Sequence, residues 1–137
     1  MQITFLGTGT SQGVPLIACP CNVCQSTDQR DKRFRTSVLV EDKGKTVVID
    51  TGPDFRSQML RENVRQLDAV IFTHEHKDHT AGFDDIRAFN FISKKKIDVY
   101  ASALVQEAIK REYAYIFSDF KYPGIPEITL FLLRNEL

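Results

Sequence analysis

The stretch Thr73-His74-Glu75-His76-Lys77-Asp78-His79 holds every histidine of this 137-residue chain. It follows Leu67-Asp68-Ala69-Val70-Ile71-Phe72, an apolar, β-branched run that reads as a buried strand. In extended chain His74 and His76, two positions apart, project to the same side. Asp78 and His79 come where the chain turns into a helix. Three imidazoles and a carboxylate therefore gather at the open end of a strand, where α/β sheets bind their ligands. Imidazole nitrogen and carboxylate oxygen suit zinc, manganese or iron(II).

The elements around this stretch are consistent with an α/β fold. Ile3 to Leu6 is a first strand, and Gly7 to Pro15 is a glycine-rich loop. That loop either cradles phosphate or packs a tight turn against another backbone; it matches no phosphate-binding fingerprint. Residues 26–35 form a polar connector, in which Arg33 or Arg35 could reach a phosphate but a solvated face is the simpler reading. Ser37–Glu41 and Lys45–Asp50 read as strands joined by a turn at Asp42-Lys43-Gly44. Pro53 opens a helix with Phe55, Met59, Leu60 and Val64 on one face, ended by Asn63. A second helix spans Phe83 to Phe91. Ile97 to Tyr100 is a strand, and Ser102 caps a helix whose core face is Leu104, Val105, Ala108, Ile109, Tyr113 and Ile116. The final strand, Ile128 to Leu133, is apolar except at Thr129, which calls for burial on both faces.

Bulk composition narrows the partners. Eighteen basic and eighteen acidic residues cancel, so nothing draws the chain generally to nucleic acid or an anionic membrane. No apolar run approaches the ~18 residues that a bilayer span needs. The opening residues lack the basic region of a signal peptide, and the expectation is a cytoplasmic protein. Cys19, Cys21 and Cys24 are the only cysteines. An odd, tight cluster reads as structural zinc rather than as a disulfide framework. A fourth ligand is not apparent, since the histidines belong to the other motif.

His-x-His-x-Asp-His after an apolar strand resembles the signature of the metallo-β-lactamase superfamily. Asp50-Thr51-Gly52, ending Thr46-Val47-Val48-Ile49, is similar to that family's upstream Asp-x-Gly element. The opening Phe5-Leu6-Gly7-Thr8-Gly9-Thr10-Ser11-Gln12-Gly13-Val14-Pro15, followed by the cysteine triplet, resembles the PhnP type of cyclic phosphodiesterase. The resemblance implies an αββα sandwich of two mixed sheets with flanking helices. It also implies a binuclear Zn²⁺ or Mn²⁺ site that activates water against a small cyclic phosphate. His74 and His76 would hold one metal, and Asp78 and His79 the other. Asp78 would be both ligand and catalytic residue, and Asp50 a buried carboxylate that orients the site. The cysteines would share structural Zn²⁺ with a distant histidine. Other hydrolases of the superfamily, tRNA-processing nucleases or thioesterases, are the alternatives, together with a non-catalytic zinc-binding module. Family members run to roughly twice this length by resemblance, and their second half supplies further ligands. Residues 1–137 thus read as one domain, its N-terminal portion, inactive alone. Through its last strand it would either self-associate as a homo-oligomer or need that second half.

Overall fold

The computed structural model describes residues 1–134. β1 (Gln2–Gly7) lies antiparallel to β2 (Ser37–Asp42), and β2 lies antiparallel to β3 (Lys45–Ile49). Lys43 (φ 47°) and Gly44 (φ 76°) reverse the chain between β2 and β3. Two successive left-handed residues give the turn whose twist matches a hairpin. β3 then pairs in parallel with β4 (Ala69–Ile71), β4 with β5 (Ile97–Ala101), and β5 with β6 (Ile128–Leu132). The result is one mixed six-stranded sheet in chain order.

The helices are α1 (Asn22–Gln25), α2 (Phe55–Arg61), α3 (Lys77–Thr80), α4 (Arg87–Ser93), α5 (Ala103–Glu112) and α6 (Ala114–Phe117). None among the described residues is long and apolar enough to cross a membrane. One face of the sheet, with Leu6, Leu39, Val48, Val70 and Val99, forms the core with Phe55 and Met59 of α2, Phe89 of α4, and Val105 and Ile109 of α5. The other face carries a row in register across all six strands: Phe5, Val38, Ile49, Ile71, Tyr100 and Phe131. Phe5 remains 69% exposed at one end and Phe131 40% at the other.

Several expectations from periodicity need correction. Leu60 and Leu104 are exposed. Leu60 loses its place on the core face of α2 to Gln58, whose amide donates to the Arg35 carbonyl (2.9 Å). Leu104 sits one residue, about 100° of helix rotation, from the buried Val105. The helix expected from Phe83 divides into a 3₁₀ turn, Phe83–Ile86, followed by α4. β6 is not buried on both faces: it is the last strand of the sheet, and Phe131 and Leu132 stay exposed. Phe131 instead stacks on Tyr100, with ring centroids 5.0 Å apart. In the glycine-rich loop, Gly7 packs so closely on the Phe34 and Arg35 carbonyls, and Gly9 on those of Arg33 and Phe34, that a Cβ would clash. Arg35 is bound to the Asp54 carboxylate (3.0 Å) and the Ser11 carbonyl (3.1 Å), so its guanidinium secures this loop.

Candidate metal centre

Beyond β4 the buried Phe72 donates its N–H to the Tyr100 carbonyl (2.9 Å), the last tie to the sheet before the histidine stretch. His76 is the residue before α3, and Asp78 and His79 lie in that short helix. Ligand atoms of His74, His76 and Asp78 come within 4.8 Å of one another. The His74 and His79 rings lie 3.9 Å apart, centroid to centroid. Asp78 Oδ2 is 3.0 Å from His79 Nε2, so this carboxylate is close both to the His74–His76 pair and to His79. The four side chains expected at the binuclear site are therefore gathered at one end of β4.

Asp50 supports them from the end of β3. It is 3% exposed and adopts φ 64°, a conformation that costs a side chain with a Cβ. Its surroundings hold it there: its N–H donates to the Ile71 carbonyl (2.9 Å), and the Ser37 hydroxyl donates to its carbonyl (2.8 Å). Turned this way, the carboxylate faces the histidine stretch. Oδ1 accepts the Thr73 N–H (2.9 Å), while Oδ2 accepts the Thr73 hydroxyl (2.7 Å) and Nδ1 of His79 (2.7 Å).

This arrangement fits a cation. With Nδ1 donating to the Asp50 carboxylate, the ring of His79 presents Nε2 to Asp78 Oδ2. Two acceptors at 3.0 Å need a proton or a metal ion between them. A histidine whose far nitrogen is bonded to a buried carboxylate is also the usual arrangement of a metal-ligating imidazole.

The backbone beneath the site is interlocked. Thr51 N–H donates to the His79 carbonyl (2.8 Å), and Gly82 N–H donates to the Thr51 carbonyl (2.8 Å). A Cβ on Gly52 would lie 2.2 Å from the Asp78 carbonyl oxygen, and one on Gly82 would lie 2.2 Å from the Gly52 oxygen. From the other side, the Tyr113 hydroxyl donates to the Thr80 carbonyl (2.8 Å), and Lys77 pairs with Glu112 of α5. Burial of the Tyr113 phenol, helped by the Glu112 charge, pushes its pKa up to about 12. The hydrogen-bonding role of Thr73 and the close backbone approaches at Gly52 and Gly82 escape the sequence, although Gly52 belongs to the Asp-x-Gly element. The available signal is a hydroxyl directly before His74 and a glycine flanking each motif.

Cys19, Cys21 and Cys24 form a second cluster, their sulfurs within 4.8 Å of one another, and no other ligand joins them among the described residues. Cys21 precedes α1 and accepts the Cys24 N–H at its sulfur (3.4 Å). That bond, with the neighbouring Cys19 and Cys24 thiols, holds the Cys21 thiol below its ordinary range. The Leu16 N–H favours the Cys24 thiolate, but burial and the adjacent thiols outweigh it and push that group up. Three sulfurs so close, one already biased to thiolate, offer three of the four donors that a structural zinc ion takes.

A family model described as the Beta-lactamase superfamily domain matches residues 45–132. An octanoyltransferase from Porphyromonas gingivalis is 45% identical over 138 residues, covering 100% of this chain and 28% of that protein. A ribonuclease Z from Acaryochloris marina is 29% identical over 128 residues, covering 90% of this chain and 36% of that enzyme. Among solved structures, a diphosphatase of the PhnP family superposes with a TM-score of 0.87 at 40% identity, over 98% of this chain and 50% of that one. The chain thus spans between about a quarter and a half of the length of these relatives.

Proposed function

This chain belongs to the beta-lactamase superfamily, and from that premise we propose that it supplies the metal-binding part of a hydrolase that cleaves P–O bonds in a small phosphorylated substrate. The observation that carries this reading is the gathering of His74, His76, Asp78 and His79 over the buried Asp50. A divalent cation bound there, Zn²⁺ or Mn²⁺, supplies Lewis acidity and lowers the pKa of water towards about 7. His74 and His76 offer ring nitrogens, while Asp78 offers a carboxylate shared with His79. Asp78 acts as a ligand, because a coordinated carboxylate does not freely take a proton. Asp50 keeps the His79 ring oriented and its Nδ1 protonated. Cys19, Cys21 and Cys24 hold a separate structural Zn²⁺, which braces the loop before β2. The chain is neutral overall, so an anionic substrate is drawn by the local field of bound cations.

Phosphorus chemistry is favoured by the 40% identity to the PhnP-family diphosphatase. Both a cyclic phosphodiester and a P–O–P anhydride fit this reading. A second reading, a phosphodiester of RNA, is favoured by the ribonuclease Z likeness across 90% of the chain. The octanoyltransferase bears a name earned by a protein most of which has no counterpart here.

The test uses the protein in its full natural length with added Zn²⁺ or Mn²⁺. Substrates are bis-p-nitrophenyl phosphate, a nucleoside cyclic phosphate, a dinucleoside diphosphate, a tRNA precursor and a thioester. Cleavage of a small phosphate compound, lost in His76→Ala, is expected. Turnover of the thioester alone, or full activity in His76→Ala, would overturn the reading.

A further inference from the structure

Thr73 lies between the two motifs in a way that constrains its neighbour. Its Oγ1 is 2.7 Å from Asp50 Oδ2 and 3.0 Å from His74 Nδ1. The Asp50 carboxylate, 3% exposed, also accepts the Thr73 N–H and His79 Nδ1. An ionised carboxylate only accepts, whereas a hydroxyl has one proton to give and lone pairs to receive. That proton must go to Asp50, since two bare oxygens at 2.7 Å would repel. Thr73 Oγ1 is then left as an acceptor, and His74 Nδ1 must bring the proton to their 3.0 Å contact.

We infer that Thr73 is a positioning residue that relays the Asp50 charge to His74. It holds the neutral ring in its Nδ1–H form, with bare Nε2 directed to a cation. One carboxylate thereby sets the proton position on two histidines, on His79 directly and on His74 through the hydroxyl. The relay rests on reading these side chains as cation ligands, but the proton position can be measured without metal or substrate. Removing such an outer partner lowers metal affinity by about 10–100-fold.

The experiment has two parts. Long-range ¹H–¹⁵N correlation spectra of the metal-free protein, at a pH where the imidazoles are neutral, distinguish protonated from bare ring nitrogens. Wild type is expected to show His74 protonated at Nδ1. Thr73→Val, which keeps the shape and removes the hydroxyl, should lose that preference, and Thr73→Ser should restore it. Cobalt(II) titration then reads affinity at this site, because the cysteine cluster adds thiolate charge-transfer bands that histidine and carboxylate lack. Thr73→Val should bind cobalt(II) about 10–100-fold more weakly there, with recovery in Thr73→Ser. A bare Nδ1 on wild-type His74 would overturn the relay, and that measurement stands even if the valine variant does not fold. So would a valine variant with wild-type tautomer and affinity, or a serine variant as impaired as valine. If the tautomer holds but no phosphate compound is cleaved, the relay survives and the proposed activity fails.

Discussion

Replacing Gly52 by alanine places a methyl group 2.2 Å from the Asp78 carbonyl oxygen. Ordinary contact begins near 3.4 Å, so the two segments must separate by about 1.2 Å. The obstacle is backbone and cannot rotate away. Separation also stretches Thr51 N–H to His79 O and Gly82 N–H to Thr51 O, both 2.8 Å. Overpacking costs about 1–3 kcal/mol, and two weakened hydrogen bonds add about 1 kcal/mol each. A total of about 3–5 kcal/mol is a large part of a stability that for domains of this kind is about 5–15 kcal/mol. Because Asp78 and His79 ride on the displaced segment, cation affinity at the histidine site should fall as well. Gly44→Ala is the control: Gly44, unlike Gly52, is left-handed (φ 76°), and it has nothing within 4 Å of its added Cβ. It should cost about 1–2 kcal/mol of backbone strain and leave metal binding untouched. Urea unfolding with cobalt(II) titration measures both quantities. Should Gly52→Ala unfold within about 0.5 kcal/mol of wild type and bind cobalt(II) normally, the interlocked backbone would not be what positions the site.

Asp50→Asn should bind metal about 10–100-fold more weakly at the histidine site, since an amide cannot accept all three bonds the carboxylate receives; calorimetric titration reads this. Cys21→Ser should lose one equivalent of zinc by elemental analysis and melt earlier, because structural zinc contributes directly to folding; wild-type zinc content would leave three ordinary thiols. Burial works against the Asp68 charge, but bonds from Gln66, Lys45 and the Thr46 N–H outweigh it and hold the carboxyl below its usual range. With a folded pKa below the unfolded one, its stabilisation is present above the unfolded value of about 3.9 and is lost as pH falls through the folded one. Urea midpoints should therefore decline on acidification through that window, less steeply in Asp68→Asn, and parallel acid limbs would contradict this. Phe5→Lys, at the exposed end of the apolar sheet row, should reduce self-association of the 137-residue chain in sedimentation velocity; an unchanged distribution would clear that face.

The grouping of the histidine stretch is legible because its side chains are close in sequence and an apolar strand precedes them. The cysteine triplet was legible for the same reason. Asp50 was visible only through its resemblance to an upstream motif: its left-handed backbone and its bonds to Thr73 and His79 depend on β3 and β4 lying side by side. Gly52 is visible as the glycine of the Asp-x-Gly element and Gly82 looks like an ordinary loop glycine, but their close approach shows only once 30 residues of chain have brought them together. Periodicity misplaced Leu60 and Leu104 because a single step around a short helix separates core from solvent. Burial of a polar Gln58 at the better position carries no apolar signal at all. The apolar run of β6 marks it as a strand, but its place at the edge is set by sheet order rather than by its own composition.

The pairing order of the sheet sets when the site can exist during folding. β2 and β3 close through a tight turn, an event on the scale of about 1–10 μs for an isolated hairpin. β3 and β4 are parallel and must first bring Ile49 to Ile71 across the segment that holds α2, and such non-local closure slows folding. Until that pairing forms, Asp50 is in one place and Thr73 and His79 in another. The candidate ligands are neighbours in the chain, but Asp50 can orient His79 only once β3 and β4 lie side by side. Interactions absent from the transition state act on the reverse rate. Bound metal should leave the refolding rate nearly unchanged and make unfolding slower.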